Sequence, residues 1–259
     1  MTLPIYVVDA FAEARFAGNP AAVCPLETWL PDAVMQAIAA ENNLSETAFL
    51  VKGEGGYDLR WFTPAKEVDL CGHATLGSAF VISTYLDPGA RRMVFRTRSG
   101  ELTVTRDGER LTMDFPALAP QPVERAAAVT EALGFAPQAV LAAGKMMAVL
   151  ASEAEVLAAA PNLDLVAGWP EDGLIVTAPG ESCDFVSRYF APHAGIPEDP
   201  VTGSAHCVLA PYWAERLGKT ELSARQVSSR GGALDLALAG ERVMITGRVV
   251  PYLEGIIHV

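Results

Sequence analysis

Arg60-Trp61-Phe62-Thr63-Pro64 and Arg188-Tyr189-Phe190-Ala191-Pro192 are two versions of one short pattern, 128 positions apart. Each reads as the end of a β-strand, and each is followed by a turn-like segment and a helix start made of small residues. An offset close to half of the 259 residues predicts a duplication, with two similar halves in a pseudo-twofold relation. A binding cleft is then expected between the halves.

The two helix starts indicate where a ligand would bind. The first reads Cys71-Gly72-His73-Ala74-Thr75-Leu76-Gly77-Ser78-Ala79, and the second reads Asp199-Pro200-Val201-Thr202-Gly203-Ser204-Ala205. The first turn of a helix exposes free backbone N–H groups, and the helix dipole adds partial positive charge there. We therefore expect an anion, such as a carboxylate or an enolate oxygen, to bind at these helix starts.

A thiol and a carboxylate lie at equal distances after the two prolines of the repeated pattern. Cys71 lies seven residues after Pro64, and Asp199 lies seven residues after Pro192. These positions predict that Cys71 and Asp199 are symmetry partners. A racemase that uses two bases on opposite faces of its substrate would place an acid/base at each such position.

Hydrophobic periodicity and turn residues predict a mixture of helices and strands along both halves. The two long helices are expected over residues 72–85 and 202–217. The segment Pro116–Pro122 holds three prolines in seven residues and is the best candidate for a linker. We therefore expect one domain over residues 1–117 and a second over residues 118–259.

Composition excludes several classes of partner. The chain has 31 acidic and 19 basic residues, a net charge of −12, which is unsuited to binding nucleic acid or an anionic membrane surface. No apolar stretch reaches the roughly 18 residues of a membrane helix, and no signal peptide is visible. The four cysteines lack zinc or redox spacing, so a cytoplasmic protein is expected.

Four separated motifs together resemble the PhzF family of phenazine biosynthesis proteins. They are Phe11 with Gly18-Asn19-Pro20-Ala21-Ala22-Val23, then Asn43-Leu44-Ser45-Glu46-Thr47-Ala48-Phe49, Cys71-Gly72-His73-Ala74-Thr75 and Glu198-Asp199-Pro200-Val201-Thr202-Gly203-Ser204-Ala205-His206. The resemblance implies the α+β fold of diaminopimelate epimerase. In that fold two similar domains, related by a pseudo-twofold axis, each wrap a mostly antiparallel sheet around a central helix. A homodimer is the family expectation.

The resemblance also implies which side chains act. Its catalytic positions fall on Glu46, His73 and Asp199. The further residues expected to touch substrate are Asn19, Cys71, Gly72, Ser78, Gly203 and Ser204. No metal, nucleotide or pyridoxal cofactor is expected to take part, and the only expected ligand is a small carboxylate-bearing molecule.

These residues favour an isomerase that moves a proton on a small carboxylate-bearing metabolite, linear or cyclic, in the cleft between the halves. The isomerases of the family shift a hydrogen within a dihydro-hydroxyanthranilate-type substrate. Two alternatives stay open: an amino-acid racemase or epimerase that uses Cys71, and an inactive homologue that only binds a small molecule. Diaminopimelate epimerase uses two facing cysteines, and because Asp199 is expected opposite Cys71, a two-thiol mechanism is not expected here.

Overall fold

The chain forms a mixed α/β fold that divides into two compact units. The structure is a computed structural model that describes all residues, Met1–Val259. The first unit comprises Met1–Asp114 together with Thr246–Val259, and the second comprises Phe115–Ile245. The chain thus passes into the second unit close to the expected linker, but its last residues return to the first unit. None of the helices is long and apolar enough to cross a membrane.

The first unit is built from strands with two helices. Its strands are β1 (Thr2–Ala10), β2 (Asn19–Leu26), β3 (Glu46–Gly53), β4 (Gly56–Phe62), β5 (Glu67–Val68), β6 (Arg92–Thr97), β7 (Gly100–Asp107) and β8 (Arg110–Pro116). Its helices are α1 (Asp32–Asn42) and α2 (Gly72–Val81), and α2 continues as a π-helical turn over Ile82–Leu86. The long helix expected over residues 72–85 is therefore present, but its last turn is wider than an α-helical turn.

The strands of the first unit form a closed sheet, and the C-terminal strand completes it. Their order is β1-β2-β3-β4-β6-β7-β8, with β5 beside β4. The last strand, β16 (Arg242–His258), pairs antiparallel with β1 from Ala10↔Val249 to Thr2↔His258. Near the start of this segment the hydroxyls of Thr112 on β8 and Thr246 on β16 are 2.8 Å apart. The C-terminal segment thus lies beside both β1 and β8.

Helix α2 lies inside these strands. It contacts β1, β2, β3 and β7, and every residue from His73 to Val81 is buried. Small side chains make this burial possible. At Gly77 a Cβ atom would come within 2.8 Å of the Val8 Cγ2 methyl. The small-residue helix start noted in the sequence therefore allows close packing of α2 against the sheet.

The second unit has more helices. Its strands are β9 (Gln121–Pro122), β10 (Ala139–Ala143), β11 (Lys145–Val149), β12 (Leu174–Pro179), β13 (Phe185–Phe190), β14 (Glu221–Gln226) and β15 (Gly232–Ala239). Its helices are α3 (Ala126–Leu133), α4 (Glu153–Ala158), α5 (Leu163–Ala167) and α6 (Gly203–Leu217), with a 3-10 turn over Pro192–Ala194. The strand order is β9-β10-β11-β12-β13-β14-β15, ending on the first residues of β16.

Helix α6 takes the place in the second unit that α2 takes in the first. It contacts β14 and β15, and most of its residues are buried. Trp213 fixes the helix to the sheet, because its ring stacks on Phe185 at 5.6 Å between centroids and its Nε1 donates to Thr177 Oγ1 at 2.9 Å. Each unit therefore has a buried central helix. The pseudo-twofold relation between the halves stays a prediction.

Candidate active site

Glu46 stands where a helix turns into a strand. Helix α1 ends at Asn42, and Asn43 takes the left-handed conformation with φ 49°, which an asparagine adopts more readily than most residues. The chain then reverses, and Glu46 is the first residue of β3. Its side chain keeps 18% of its surface exposed, although the Oε2 atom is buried.

Cys71 and His73 stand at the start of the central helix of the first unit. Cys71 is the residue before α2, in an extended conformation, and His73 is the second residue of the helix. Both side chains are buried. Because α2 is packed on all sides, its first turn holds these two side chains in fixed positions.

The structure brings four of the predicted site residues into contact. His73 Nε2 lies 3.0 Å from Glu46 Oε2. His73 Nδ1 lies 3.2 Å from Asn19 Nδ2 and 3.5 Å from Cys71 Sγ. A protonated His73 ring therefore forms an ion pair with the Glu46 carboxylate through Nε2, while Nδ1 faces the amide and the thiol.

Burial and neighbouring charges set the protonation of this cluster. Burial alone would lower the pKa of His73, but its interactions with Cys71 and Glu46 raise this pKa well above its usual value. Burial, together with the nearby Glu46 charge, raises the pKa of Cys71 to about 11. At neutral pH Cys71 is therefore a thiol, and it is the Glu46 carboxylate that favours a proton on His73.

The same side chains offer ligand atoms for a cation. One atom each from Glu46, Cys71 and His73 lie within 4.8 Å of one another. A carboxylate, a thiol and an imidazole form a donor set that zinc accepts, whereas magnesium and calcium prefer oxygen alone. The cluster can therefore either hold a proton or hold a metal ion.

The predicted residues of the second unit form their own group. Asp199 Oδ2 accepts a hydrogen bond from Thr202 Oγ1 at 2.6 Å, and the Asp199 carbonyl accepts from Gln226 Nε2 at 2.7 Å. Gly203 and Ser204 are the first two residues of α6. This group is a half-buried carboxylate fixed beside a helix start.

Two further predicted residues belong to α2 itself. Gly72 is its first residue, at the end of the helix that faces Glu46. Ser78 is buried further along, and its hydroxyl donates to the Ala74 carbonyl at 2.7 Å. The Ser78 donor is used within the helix, so the predicted substrate contact of Ser78 finds no support in its hydrogen bonding.

The sequence was compared with known protein families and curated proteins. The sequence model of the PhzC-PhzF family, described as phenazine biosynthesis-like protein, matches residues 8–255. The chain belongs to this family. A curated relative from Pseudomonas aeruginosa, named as an uncharacterized isomerase, is 53% identical, and the match covers 100% of both chains. Other relatives also carry the name isomerase, and this PhzC-PhzF protein is an isomerase.

Solved structures give the same assignment. A crystal structure of a PhzF family protein from Enterococcus faecalis matches with a TM-score of 0.97 and 47% identity, covering both chains completely. A hydroxyproline epimerase from Agrobacterium vitis matches with a TM-score of 0.62 at 13% identity, over 99% of this chain and 92% of that one. The second likeness shows that this chain has an epimerase-like fold.

In this PhzC-PhzF isomerase the repeated aromatic pattern carries a repeated ion pair. Arg60 binds Glu67 through two parallel bonds, Nε–Oε1 and Nη2–Oε2, both 2.7 Å long. Arg188 binds Glu198 in the same way, at 2.7 and 2.8 Å. Each arginine also covers the phenylalanine two positions later, in a cation–π contact of 5.2 or 4.8 Å. The internal similarity therefore extends from sequence to contacts, although the sequence patterns did not reveal the glutamates.

The expected pairing of Cys71 with Asp199 is wrong by three residues. Glu67 comes seven residues after its arginine, but Glu198 comes ten residues after Arg188, because the 3-10 turn over Pro192–Ala194 lengthens the second connection. The residue just before α6 is Thr202, extended like Cys71 before α2. Thr202 is therefore the counterpart of Cys71 in this protein.

Sequence reasoning also missed Gln226. Its Oε1 accepts from the Thr202 backbone N–H at 2.8 Å, and its Nε2 donates to the Asp199 carbonyl. Gln226 thereby ties both ends of the segment that carries Asp199. It is the last residue of β14, 24 positions after Thr202, and no local motif marks it.

Proposed function

We propose that this isomerase moves a proton on a small carboxylate-bearing metabolite without a cofactor, with Glu46 as the acid/base and His73 as its proton partner. The contact of 3.0 Å between Glu46 Oε2 and His73 Nε2 carries the proposal. An isomerase of this kind must take a proton from one atom of the substrate and return it to another. Glu46 can hold that proton between the two steps, and its partial exposure lets the proton exchange with solvent before it is returned.

Glu46 and His73 differ in exposure, and this difference assigns each of them a role. The Glu46 side chain is partly exposed, whereas His73 is buried. Glu46 is therefore the group that touches the reacting atom of the substrate. His73 holds its ring proton against Glu46, and this stabilises the carboxylate before it accepts a substrate proton.

The start of α2 supports a carboxylate as the anchoring group of the substrate. No side chain caps this helix, and its first turn contains no acidic residue, so the backbone N–H groups that begin at Gly72 lack an internal partner. Helix α6 starts in the same way at Gly203. Asp199, Gly203 and Ser204 keep, as predictions, the roles that the family resemblance implies for them.

A racemase that uses Cys71 as its base is less well supported. The pKa of Cys71 is raised to about 11, so only a minute fraction of the thiol is ionised at neutral pH. Its counterpart before α6 is Thr202, a hydroxyl that is a much weaker acid/base than a thiol. A two-base mechanism on these positions therefore lacks both of its bases.

Exchange of hydrogen with solvent tests the proposal. A dihydro-hydroxyanthranilate-type acid is incubated with the protein in heavy water, and uptake of one deuterium is followed by mass spectrometry. We expect the Glu46→Gln variant to lose about 10²–10⁴-fold in rate, because an amide cannot carry the proton. The exposed Glu41→Gln variant on α1 is the matched control and should exchange at the wild-type rate.

Two results would contradict the proposal. Exchange in Glu46→Gln at the wild-type rate would remove Glu46 as the acid/base. Exchange of the methyl ester as fast as that of the free acid would remove the carboxylate as the anchoring group. Binding of the acid to Glu46→Gln, followed by calorimetry, separates a loss of chemistry from a loss of affinity.

A further inference from the structure

We propose that Glu46, Cys71 and His73 also form a binding site for a thiophilic divalent cation, Zn²⁺, and that Zn²⁺ bound there stops the proton shift. The first half of this inference stands on the geometry of the three side chains alone. The second half rests on the proposed function, since it assigns the same carboxylate to proton transfer. No loop closure or partner chain is needed to assemble the site.

The distances between the donor atoms are close to those of a tetrahedral zinc site. With Zn–S near 2.3 Å and Zn–N or Zn–O near 2.0–2.1 Å, neighbouring ligand atoms are about 3.3–3.6 Å apart. Here His73 Nε2 is 3.0 Å from Glu46 Oε2 and 4.0 Å from Cys71 Sγ. All three donor atoms lie within 4.8 Å of one another. To bind a single ion, Nε2 and Oε2 would move slightly apart and the thiol would move closer to both.

The charges of the three ligands match a divalent ion. A Cys71 thiolate and a Glu46 carboxylate together carry −2, and a neutral His73 adds no charge, so the complex with Zn²⁺ is neutral. A neutral complex avoids the high cost of burying a net charge in this packed environment. On binding, the Cys71 thiol releases its proton to solvent, as does His73 if its ring is charged, and no electron is transferred.

The ligand set also selects the kind of cation and leaves a route to it. Sulfur and nitrogen donors favour zinc and its neighbours in the transition series over magnesium or calcium. Three protein ligands leave a fourth position for water or for a carboxylate of the substrate. Among the three ligands only the Glu46 side chain is partly exposed, so an ion would approach the site from its side.

Cobalt provides a direct probe of the thiolate bond. The full-length protein, reduced and stripped of metal, is titrated with Co²⁺ and the near-ultraviolet thiolate-to-cobalt charge-transfer band is recorded. We expect one equivalent of Co²⁺ to saturate the band and one equivalent of Zn²⁺ to abolish it. The band should be lost in Cys71→Ser, and Co²⁺ affinity should fall at least roughly tenfold in His73→Asn and Glu46→Gln.

Cys183 supplies the matched control for accidental metal binding. Its thiol is half-buried and thus more accessible than that of Cys71, but it belongs to the second unit, whereas the three proposed ligands belong to the first. The Cys183→Ser variant should keep the full band and the same stoichiometry. A band that persists in Cys71→Ser, disappears in Cys183→Ser, or never forms in the wild type would overturn the inference.

X-ray absorption of the zinc-loaded wild type covers the case in which a variant fails to fold. We expect one sulfur at about 2.3 Å with nitrogen and oxygen ligands at about 2.0–2.1 Å. A spectrum without sulfur would overturn the inference. Neither measurement depends on catalysis, so the metal site can fail while the proton shift stands, and the reverse. Inhibition of deuterium exchange by Zn²⁺, relieved by a chelator, then tests the second half.

Discussion

Burial decides what the thiol of Cys71 can do at the residue scale. Because its pKa is raised to about 11, the thiol keeps its proton at neutral pH and cannot act as a base. We expect Cys71→Ala to change the rate of deuterium exchange less than tenfold. The Glu46→Gln variant should lose at least a hundredfold under the same conditions.

The racemase alternative predicts the opposite order of these effects. If Cys71→Ala abolished exchange while its circular dichroism spectrum and thermal midpoint matched those of the wild type, the thiol would be the base. Cys207→Ala, which removes another buried thiol from α6, is the control for packing effects alone.

His206 couples the stability of α6 to pH. Its ring is buried, Nδ1 donates to the Thr202 carbonyl at 2.8 Å, and Nε2 has no hydrogen-bond partner. Burial lowers the pKa of His206 to about 4. As the pH falls, the unfolded chain protonates His206 near pH 6.5, whereas the folded chain does so only near pH 4. The contribution of His206 to the unfolding free energy is therefore fully present above about pH 6.5 and is lost as the pH falls toward 4.

We expect this histidine to remove about 3 kcal/mol of unfolding free energy between pH 7 and pH 4. The variant His206→Asn cannot take up the proton, although its amide can still donate to the Thr202 carbonyl. Urea unfolding at both pH values should show a shallower pH dependence for His206→Asn than for the wild type. The exposed His258→Asn should behave as the wild type, and equal slopes for all three proteins would refute the prediction.

The residues of the site that lie in short sequence motifs could be predicted from the sequence. Glu46, Cys71, His73 and Asn19 lie in motifs that resemble a family, and the structure brings their side chains together. Gln226 and the pairing of Cys71 with Thr202 could not be predicted. The first depends on a contact between distant residues, and the second on the 3-10 turn over Pro192–Ala194, whose extra length no residue pattern indicated.

At the scale of elements, the close contact of α2 with β1 depends on Gly77, which has no side chain. Gly77 lies in the middle of α2, where alanine would normally stabilise a helix by about 1 kcal/mol. A Cβ at this position would meet Val8 Cγ2 at 2.8 Å, and overpacking of this kind costs about 1–3 kcal/mol. We therefore expect Gly77→Ala to destabilise the protein by up to about 2 kcal/mol in urea unfolding.

A double-mutant cycle identifies the cause. Val8→Ala removes the methyl that the new Cβ would meet, so Gly77→Ala should be neutral or stabilising in the Val8→Ala background. The coupling between the two positions should be about 1–3 kcal/mol. Additive effects would show that Gly77 is required for some reason other than its contact with Val8.

The elements that follow strong local patterns were predictable from sequence. The helix expected over residues 202–217 is observed as Gly203–Leu217, and the hairpins β6-β7-β8 have their turns at the glycines of the sequence. The π-helical turn Ile82–Leu86 was not predictable, because its residues fit an α-helical pattern equally well. Tertiary contacts, such as Arg106 Nη1 donating to Ser83 Oγ at 2.8 Å, lie at this turn.

At the scale of the whole molecule, the chain ends in the unit where it begins. The apolar C-terminus predicts a strand, but the pattern does not indicate which other strand it pairs with. The structure pairs the last part of β16 with β1, over nine residue pairs from Ala10↔Val249 to Thr2↔His258. A domain over residues 118–259, as the linker position suggests, would take this strand away from the first unit.

This arrangement makes a prediction about which piece of the chain can fold. The two termini are adjacent, since the Met1 amine donates to the Val259 carbonyl at 2.6 Å and Val259 N–H donates to the Met1 carbonyl at 2.8 Å. The end of β16 and the start of β1 therefore stand where a two-residue Asn-Gly turn could join them as a hairpin. A permuted chain would run Thr246–Val259, Asn-Gly, then Met1–Asp114.

We expect the permuted chain to fold on its own and residues 1–117 to fail to fold. In the shorter piece β1 keeps β2 but loses β16 along its whole length, so one of its edges is unpaired. Dispersed amide resonances and cooperative urea unfolding in the permuted chain, with neither in residues 1–117, would support the prediction. The control is a permuted chain with Val249 and Ile257 changed to lysine, which keeps the length of the added strand but opposes its packing. If residues 1–117 unfold as cooperatively as the permuted chain, the C-terminal strand is dispensable and the first unit is complete without it.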